Sequence, residues 1–240
     1  MYDRVRDAVE QEKANASVSF VPAPFAKEAA FEAMDAGLGL IVIITEHIPM
    51  RDTMEIKARS RLAGATIVGP NCPGVFVPGV GKLGIMPANI FRRGNIGVVG
   101  RSATLSYEVI GNLTVAGLGQ TAAVGIGGDP VVCTEFTDVL QLFEADPATQ
   151  GIVLVGEIGG SAEERAAEYI STMRKPVVAL IAGRAAPPGR RFGHAGAIIR
   201  AGSGGAAQKI DVLREAGATI ADTPAEIPAL LKGRLAEVRN

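Results

Sequence analysis

The sequence predicts an α/β protein in which two successive series of parallel strands alternate with helices. Three observations carry this. Short, nearly all-apolar runs such as Leu40-Ile-Val-Ile-Ile-Thr45 and Val177 to Ile181 have the composition of strands buried on both faces. Helix-forming segments lie between the runs. The 30 glycines and 14 prolines punctuate the run ends and form no single tract.

In order, residues 3 to 12 read as a short helix and Ser17 to Val21 as a strand. Pro22 to Phe25 breaks that strand and opens an Ala-rich helix to Ala36, closed by Gly37. Leu40 to Thr45 is a strand, Pro49 to Leu62 a helix ended by Gly64, and Ala65 to Gly69 a strand. Pro73 to Phe91 is Gly/Pro-rich without periodicity, so the spacing puts a domain boundary near its end, giving units 1–93 and 94–240. The second series has strands at Ile96 to Val99, Gln120 to Ile126, Ile152 to Val155, Val177 to Ile181 and Ala218 to Ala221. Helices fall at Thr104 to Val115, Thr137 to Glu144, Ser161 to about Met173, Ala206 to Ala216 and Pro224 to Val238. Ser161 and Glu164 have capping-box spacing. Five strands with intervening helices make a flavodoxin-like, doubly wound domain, whose ligands belong beyond the carboxyl ends of the strands.

Bulk properties narrow the function. A net charge of -1 gives no electrostatic case for nucleic acid or an anionic membrane. No apolar run approaches the roughly 20 residues that span a bilayer. The charged start, MYDRVRDAVEQEK, is unlike a targeting peptide. Two cysteines without metal-ligand spacing point to a reducing, cytoplasmic setting, and the sequence suggests no metal site.

The chemistry-bearing residues cluster at predicted strand ends. His194, one of two histidines, sits in the loop Arg184 to Gly196 with Arg184, Arg190 and Arg191. Small neighbours leave its imidazole uncrowded. It is either a phosphoryl-carrying nucleophile or a structural loop histidine. Gly100-Arg101-Ser102-Ala103-Thr104 follows a strand and opens a helix, which suits an anion site or an ordinary Ser102 N-cap. Glu157 in Gly156-Glu157-Ile158-Gly159-Gly160 lies among small apolar residues and needs a partner, either a histidine or backbone N–H groups. Gly125-Ile-Gly-Gly-Asp-Pro130 is a tight turn or a point of close approach. Cys72 in Gly69-Pro-Asn-Cys-Pro-Gly74 reads as a small buried hydrophobe before a nucleophile, and His47 as a loop histidine.

Together these stretches resemble the succinyl-CoA synthetase alpha-subunit family. The likeness rests on Ile44-Thr45-Glu46, Gly69 to Gly74, Arg101 to Glu108, Gly125 to Pro130, Gly156 to Ser161 and Gly183 to Gly196, in order along most of the chain. It implies a partial Rossmann-like CoA-binding domain ahead of a flavodoxin-like ligase domain. His194 would be the phosphohistidine, held by Glu157, with the phosphate at the backbone of Ser102 and Ala103. Tyr107 would lie near the carboxylate substrate. Ile44, Thr45 and Glu46 would line the coenzyme A site, with Asn71 and Cys72 near its thioester end. An ATP-grasp beta subunit would supply the ATP or GTP site and Mg²⁺. A ligase for malate or another dicarboxylate, or a non-catalytic assembly subunit, are the alternatives. The family's opening strand and GxTGxxG loop have no counterpart in these 240 residues. Ala103 and His47 stand where the family has glycine.

Overall fold

The computed structural model describes residues 1–187, 193–199 and 204–239, with residues 238 and 239 described by backbone alone. Arg190, Arg191 and Phe192 of the histidine loop therefore lie outside the described residues.

After helix α1 (Val5–Glu12), the first unit alternates β1 (Ala16–Ser19), α2 (Ala26–Asp35), β2 (Leu40–Ile43), α3 (Met50–Ala63) and β3 (Thr66–Val68). The three strands pair in parallel in the order β1-β2-β3, with Ser19 beside Ile43 and Val42 beside Val68. Helix α2 buries Ala26, Ala30, Ala33 and Met34, a stripe at helical spacing that packs with Ile41, Ile43, Ile56 and Ile67.

Residues 74 to 84 correct the expectation of an aperiodic connection. They form an antiparallel hairpin of β4 (Gly74–Val77) and β5 (Gly81–Gly84). Strand β4 pairs with the strand Gln120–Gly125 of the second series, so the hairpin extends the larger sheet although it precedes residue 94. Each strand has only four residues, and the apolar ones, Val75, Phe76 and Val77 in one and Leu83 in the other, show no clean alternation to read.

The second series is β6 (Arg93–Gly100), α4 (Ala103–Val115), β7 (Gln120–Gly125), α5 (Phe136–Ala145), β8 (Gly151–Glu157), α6 (Ala162–Ile170), β9 (Val177–Ala182), α7 (Ala206–Glu215), β10 (Thr219–Ala221) and α8 (Ile227–Arg239). The sheet order is β10-β9-β8-β6-β7-β4-β5, with β6 to β10 parallel. Those five strands have flavodoxin-like order, which reverses at β6 between β7 and β8. One face of the sheet packs Phe136, Leu140, Phe143, Ile170 and Leu213 from α5, α6 and α7. The other packs Val109, Ile110, Leu113 and Leu231 from α4 and α8. Burying β8 on both faces accounts for its unbroken run of fully buried residues.

The expected Ser161 capping box does not form, because Ser161 caps nothing with its side chain. Its hydroxyl accepts from Arg165 Nη1 at 2.8 Å. A capping box does form at α5, between Glu135 and Asp138.

The two sheets are stitched at their carboxyl ends. Asn71 N donates to Thr45 O at 2.9 Å, Gly128 N to Asn71 O at 3.2 Å, and Thr134 Oγ1 to Ile67 O at 2.6 Å. These bonds bring the loops after β2 and β3 against the loop after β7.

Candidate active site

The site forms where the strand ends of both sheets converge. Strand β8 ends at Glu157, whose carboxylate is 6% exposed. Its Oε2 lies 2.6 Å from His194 Nδ1. Glu157 Oε1 lies 3.4 Å from Arg101 Nε, an ion-pair distance without hydrogen-bond alignment. Arg101 stands immediately after β6 and is itself 5% exposed. It donates through Nη2 to Asp129 O at 3.0 Å and through Nε to Gly127 O at 3.4 Å. One buried carboxylate thus spans a guanidinium and an imidazole, and the guanidinium is anchored to the β7 loop.

This arrangement fixes the electronics of His194. The Glu157 hydrogen bond raises the imidazole pKa against the opposing pull of burial. The Glu157 and Asp129 charges raise it further, and Arg101 lowers it. With Nδ1 committed to the carboxylate, Nε2 is the nitrogen left to react. Asp129 is itself pushed up by burial, offset by the 3.0 Å hydrogen bond from Asn71 Nδ2.

A cleft of about 620 Å³ opens beside His194 between the two sheets. It is lined by Ile44, Thr45 and Glu46 after β2, by Asn71 and Cys72 after β3, and by Ala103 at the head of α4. Thr45 is held by its Oγ1 donating to Val21 O at 2.6 Å. Ser102 caps α4, its Oγ accepting from Leu105 N at 3.4 Å. Ala103 is the first residue of α4, so its methyl group sits on ordinary helical backbone. His47, by contrast, adopts φ +63°, the left-handed conformation that glycine favours.

Some sequence-predicted positions fall elsewhere. Tyr107 does not line the cleft. It packs on the α4 side of the core with its hydroxyl buried and without a hydrogen-bond partner, and burial raises its pKa. Cys72, by contrast, reaches the cleft as the small buried residue its sequence context suggests, its thiol donating to Ile43 O at 3.3 Å and its pKa pushed by burial up to about 12. A thiol held protonated in this way is no nucleophile. Arg184 turns to Asp222 and Ala221 O and so is not one of the cations around His194. Arg101 is the functional residue that sequence reasoning passed over. Its signal was a lone charge wedged between a strand-ending glycine and a helix cap.

Comparison with known proteins defines the class of the protein. A CoA-ligase family model matches residues 99–219, and a CoA binding domain model matches residues 1–47. The ADP-forming succinate–CoA ligase subunit alpha of Methanothermobacter thermautotrophicus is 54% identical over 235 residues, covering 98% of this chain and 80% of that protein. The Aquifex aeolicus subunit alpha is 53% identical over 230 residues, covering 95% and 75%. Among solved structures, ATP citrate lyase from Methanothrix soehngenii, in complex with citrate and coenzyme A, superposes with a TM-score of 0.91 at 25% identity. It covers 100% of this chain, which spans 41% of that one. A dinucleotide-forming acetyl-coenzyme A synthetase from Ca. Korarchaeum cryptofilum shares the fold, with a TM-score of 0.75 at 21% identity and 50% of its chain covered. The chain belongs to the succinate–CoA ligase alpha-subunit family.

Proposed function

We propose that this chain is the catalytic alpha subunit of an ADP- or GDP-forming succinate–CoA ligase that works through phospho-His194. The observation that carries the reading is the 2.6 Å contact between His194 Nδ1 and the buried Glu157 carboxylate, at the edge of a cleft shared by both sheets. In the forward direction, a phosphate oxygen attacks the thioester carbonyl of succinyl-CoA. The carbon–sulfur bond breaks, and the departing thiolate takes up a proton to give free coenzyme A. His194 Nε2 then attacks the phosphorus of the acyl phosphate, the P–O bond to the acyl group breaks, and succinate leaves. Phosphohistidine finally donates to a nucleoside diphosphate.

Each residue has a part in this scheme. Glu157 orients the ring and stabilises the positive charge that builds on it as Nε2 bonds to phosphorus. Free N–H groups at the head of α4, at Ser102 and Ala103, receive phosphate oxygens, aided by the helix dipole. Ile44, Thr45 and Glu46 face coenzyme A as a substrate, with Asn71 and Cys72 toward its thioester end through their backbone. Tyr107, on α4, lies near the carboxylate substrate. In this division, residues 1–93 serve coenzyme A and 94–240 serve phosphoryl transfer. The partner is an ATP-grasp beta subunit that brings nucleotide and Mg²⁺. Among the described residues no helix is long and apolar enough to cross a membrane. Free Cys72 and Cys133 suit a reducing cytoplasm.

The test is a coupled assay with the beta subunit. Succinyl-CoA, phosphate and ADP or GDP should yield nucleoside triphosphate in step with thioester loss, and His194→Ala should abolish both. Thioester loss and triphosphate formation that persist in His194→Ala would refute the reading.

A further inference from the structure

We propose that Glu163 and Lys209, a charged pair sealed beneath the site, are positioning residues that hold the 157–159 turn and through it align Glu157 with His194. Both side chains are 0% exposed. Glu163, in the first turn of α6, accepts from Glu157 N through Oε1 at 3.1 Å. Its Oε2 accepts from Lys209 Nζ on α7. Lys209 Nζ also donates to Gly159 O at 2.6 Å, and Glu164 Oε2 lies 3.8 Å away. The pair therefore grips both ends of one short turn, the residue that binds the imidazole and the residue two places on.

Gly159 carries that grip to the histidine loop. It sits at φ +89°, and a Cβ there would stand 2.1 Å from Gly196 O and 2.7 Å from Ile198 N. Its N–H donates to Gly204 O at 2.8 Å. The backbone that follows His194 thus rests directly on the turn that Lys209 holds. Fixing residues 157 to 159 fixes the carboxylate and the seat of its partner together.

Stability alone is a weak reason for such a pair. Burying two charges is offset by their attraction only in part, and apolar replacement of both partners is often neutral or stabilising. Removing one partner alone strands a buried charge. The paired replacement therefore separates alignment from folding.

The inference rests on the phosphohistidine reading for its meaning, and its experiment is chosen to be judged separately. The full 240-residue chain is labelled with ¹⁵N in its imidazole rings, which report from two histidines only. Wild type is compared with the double variant Glu163→Gln/Lys209→Met, and with Glu163→Asp, which keeps the charge and shortens the reach to the Glu157 amide. Circular dichroism and an unchanged His47 signal identify folded variants. Around His194 the charged groups are Glu157, Arg101 and Asp129, all left intact. The expected result is a fall in the His194 pKa and a weakened Nδ1–H preference in each folded variant. Phosphorylation by the beta subunit and ATP should slow on the order of 10²-fold, the scale for a reacting group misplaced by about 1 Å. A folded variant whose His194 titration, tautomer and phosphorylation match wild type overturns the proposal. The titration needs neither partner nor substrate, so it judges the pair even where wild type takes no phosphate and the functional reading itself fails.

Discussion

Gly128 lies against the imidazole of His194. A Cβ at position 128 would stand 2.2 Å from His194 Cγ and 2.6 Å from Nδ1. The ring is thus clamped between the β7 loop and the Glu157 carboxylate. Gly128→Ala should push the imidazole off Glu157 and cut phosphorylation of His194 on the order of 10²-fold. A Phos-tag or radiolabel time course with the beta subunit measures this. Retention of the wild-type rate would show that the ring is not clamped there.

The pH dependence follows from the raised pKa of His194. Nε2 attacks phosphorus only when the ring is unprotonated, so the rate of phosphorylation should climb as pH rises through a pKa above the ordinary imidazole value of about 6.5. Glu157→Gln removes the largest raising influence and should move that acid limb to lower pH while lowering the plateau. Stability carries the same sign. The protonated pair with Glu157 stabilises the fold fully below the ordinary imidazole value, and the contribution fades as pH rises through the folded value. Urea midpoints of wild type and Glu157→Gln should therefore differ most at acid pH and draw closer as the pH rises, leaving a pH-independent gap from the loss of the buried Arg101–Glu157 pair.

Arg101 acts on the same carboxylate in the opposite sense. Arg101→Met removes the cation that lowers the His194 pKa, so the imidazole should titrate higher than in wild type. It also leaves Glu157 buried without its guanidinium and frees the carbonyls of Gly127 and Asp129. Loss of one partner from a pair this deeply buried costs about 3–5 kcal/mol. Chemical denaturation and a histidine NMR titration check the two effects independently.

His47 offers a gain of stability. Its φ of +63° is strained for a residue with a Cβ, and its imidazole is 83% exposed, with Glu46 at 3.5 Å. His47→Gly should stabilise the chain by roughly 0.5–1 kcal/mol, the relief of left-handed strain less the extra entropy of glycine. An unchanged or lowered melting temperature would contradict this.

Much of the frame was legible because burial on both faces leaves an unmistakable imprint. The runs at Leu40 to Thr45, Ile152 to Val155 and Val177 to Ile181 admit little else, and every chemistry-bearing loop falls at a strand end. The hairpin at residues 74 to 84 was hidden because it is short, glycine-bounded and paired to a strand about 50 residues later in sequence. Ser161 to Glu164 carried the spacing of a capping box, yet tertiary demand won. Glu164 turns its carboxylate toward Lys209 Nζ, 3.8 Å away, instead of back to the Ser161 amide, and the Ser161 hydroxyl is left to Arg165. Arg101 was opaque for a related reason. Nothing local distinguishes an arginine that points into solvent from one buried under a carboxylate that follows it by 56 residues in the chain.

The central claim is that His194 is phosphorylated on Nε2 while Glu157 holds Nδ1. The most direct measurement is mass-spectrometric and ³¹P NMR analysis of the full chain after incubation with its beta subunit, Mg²⁺ and ATP or GTP. The account predicts one acid-labile, base-stable phosphate on His194, attached at Nε2, absent from His194→Ala, and discharged by succinate with coenzyme A. Phosphate on another residue, attachment at Nδ1, or no phosphate at all would contradict it.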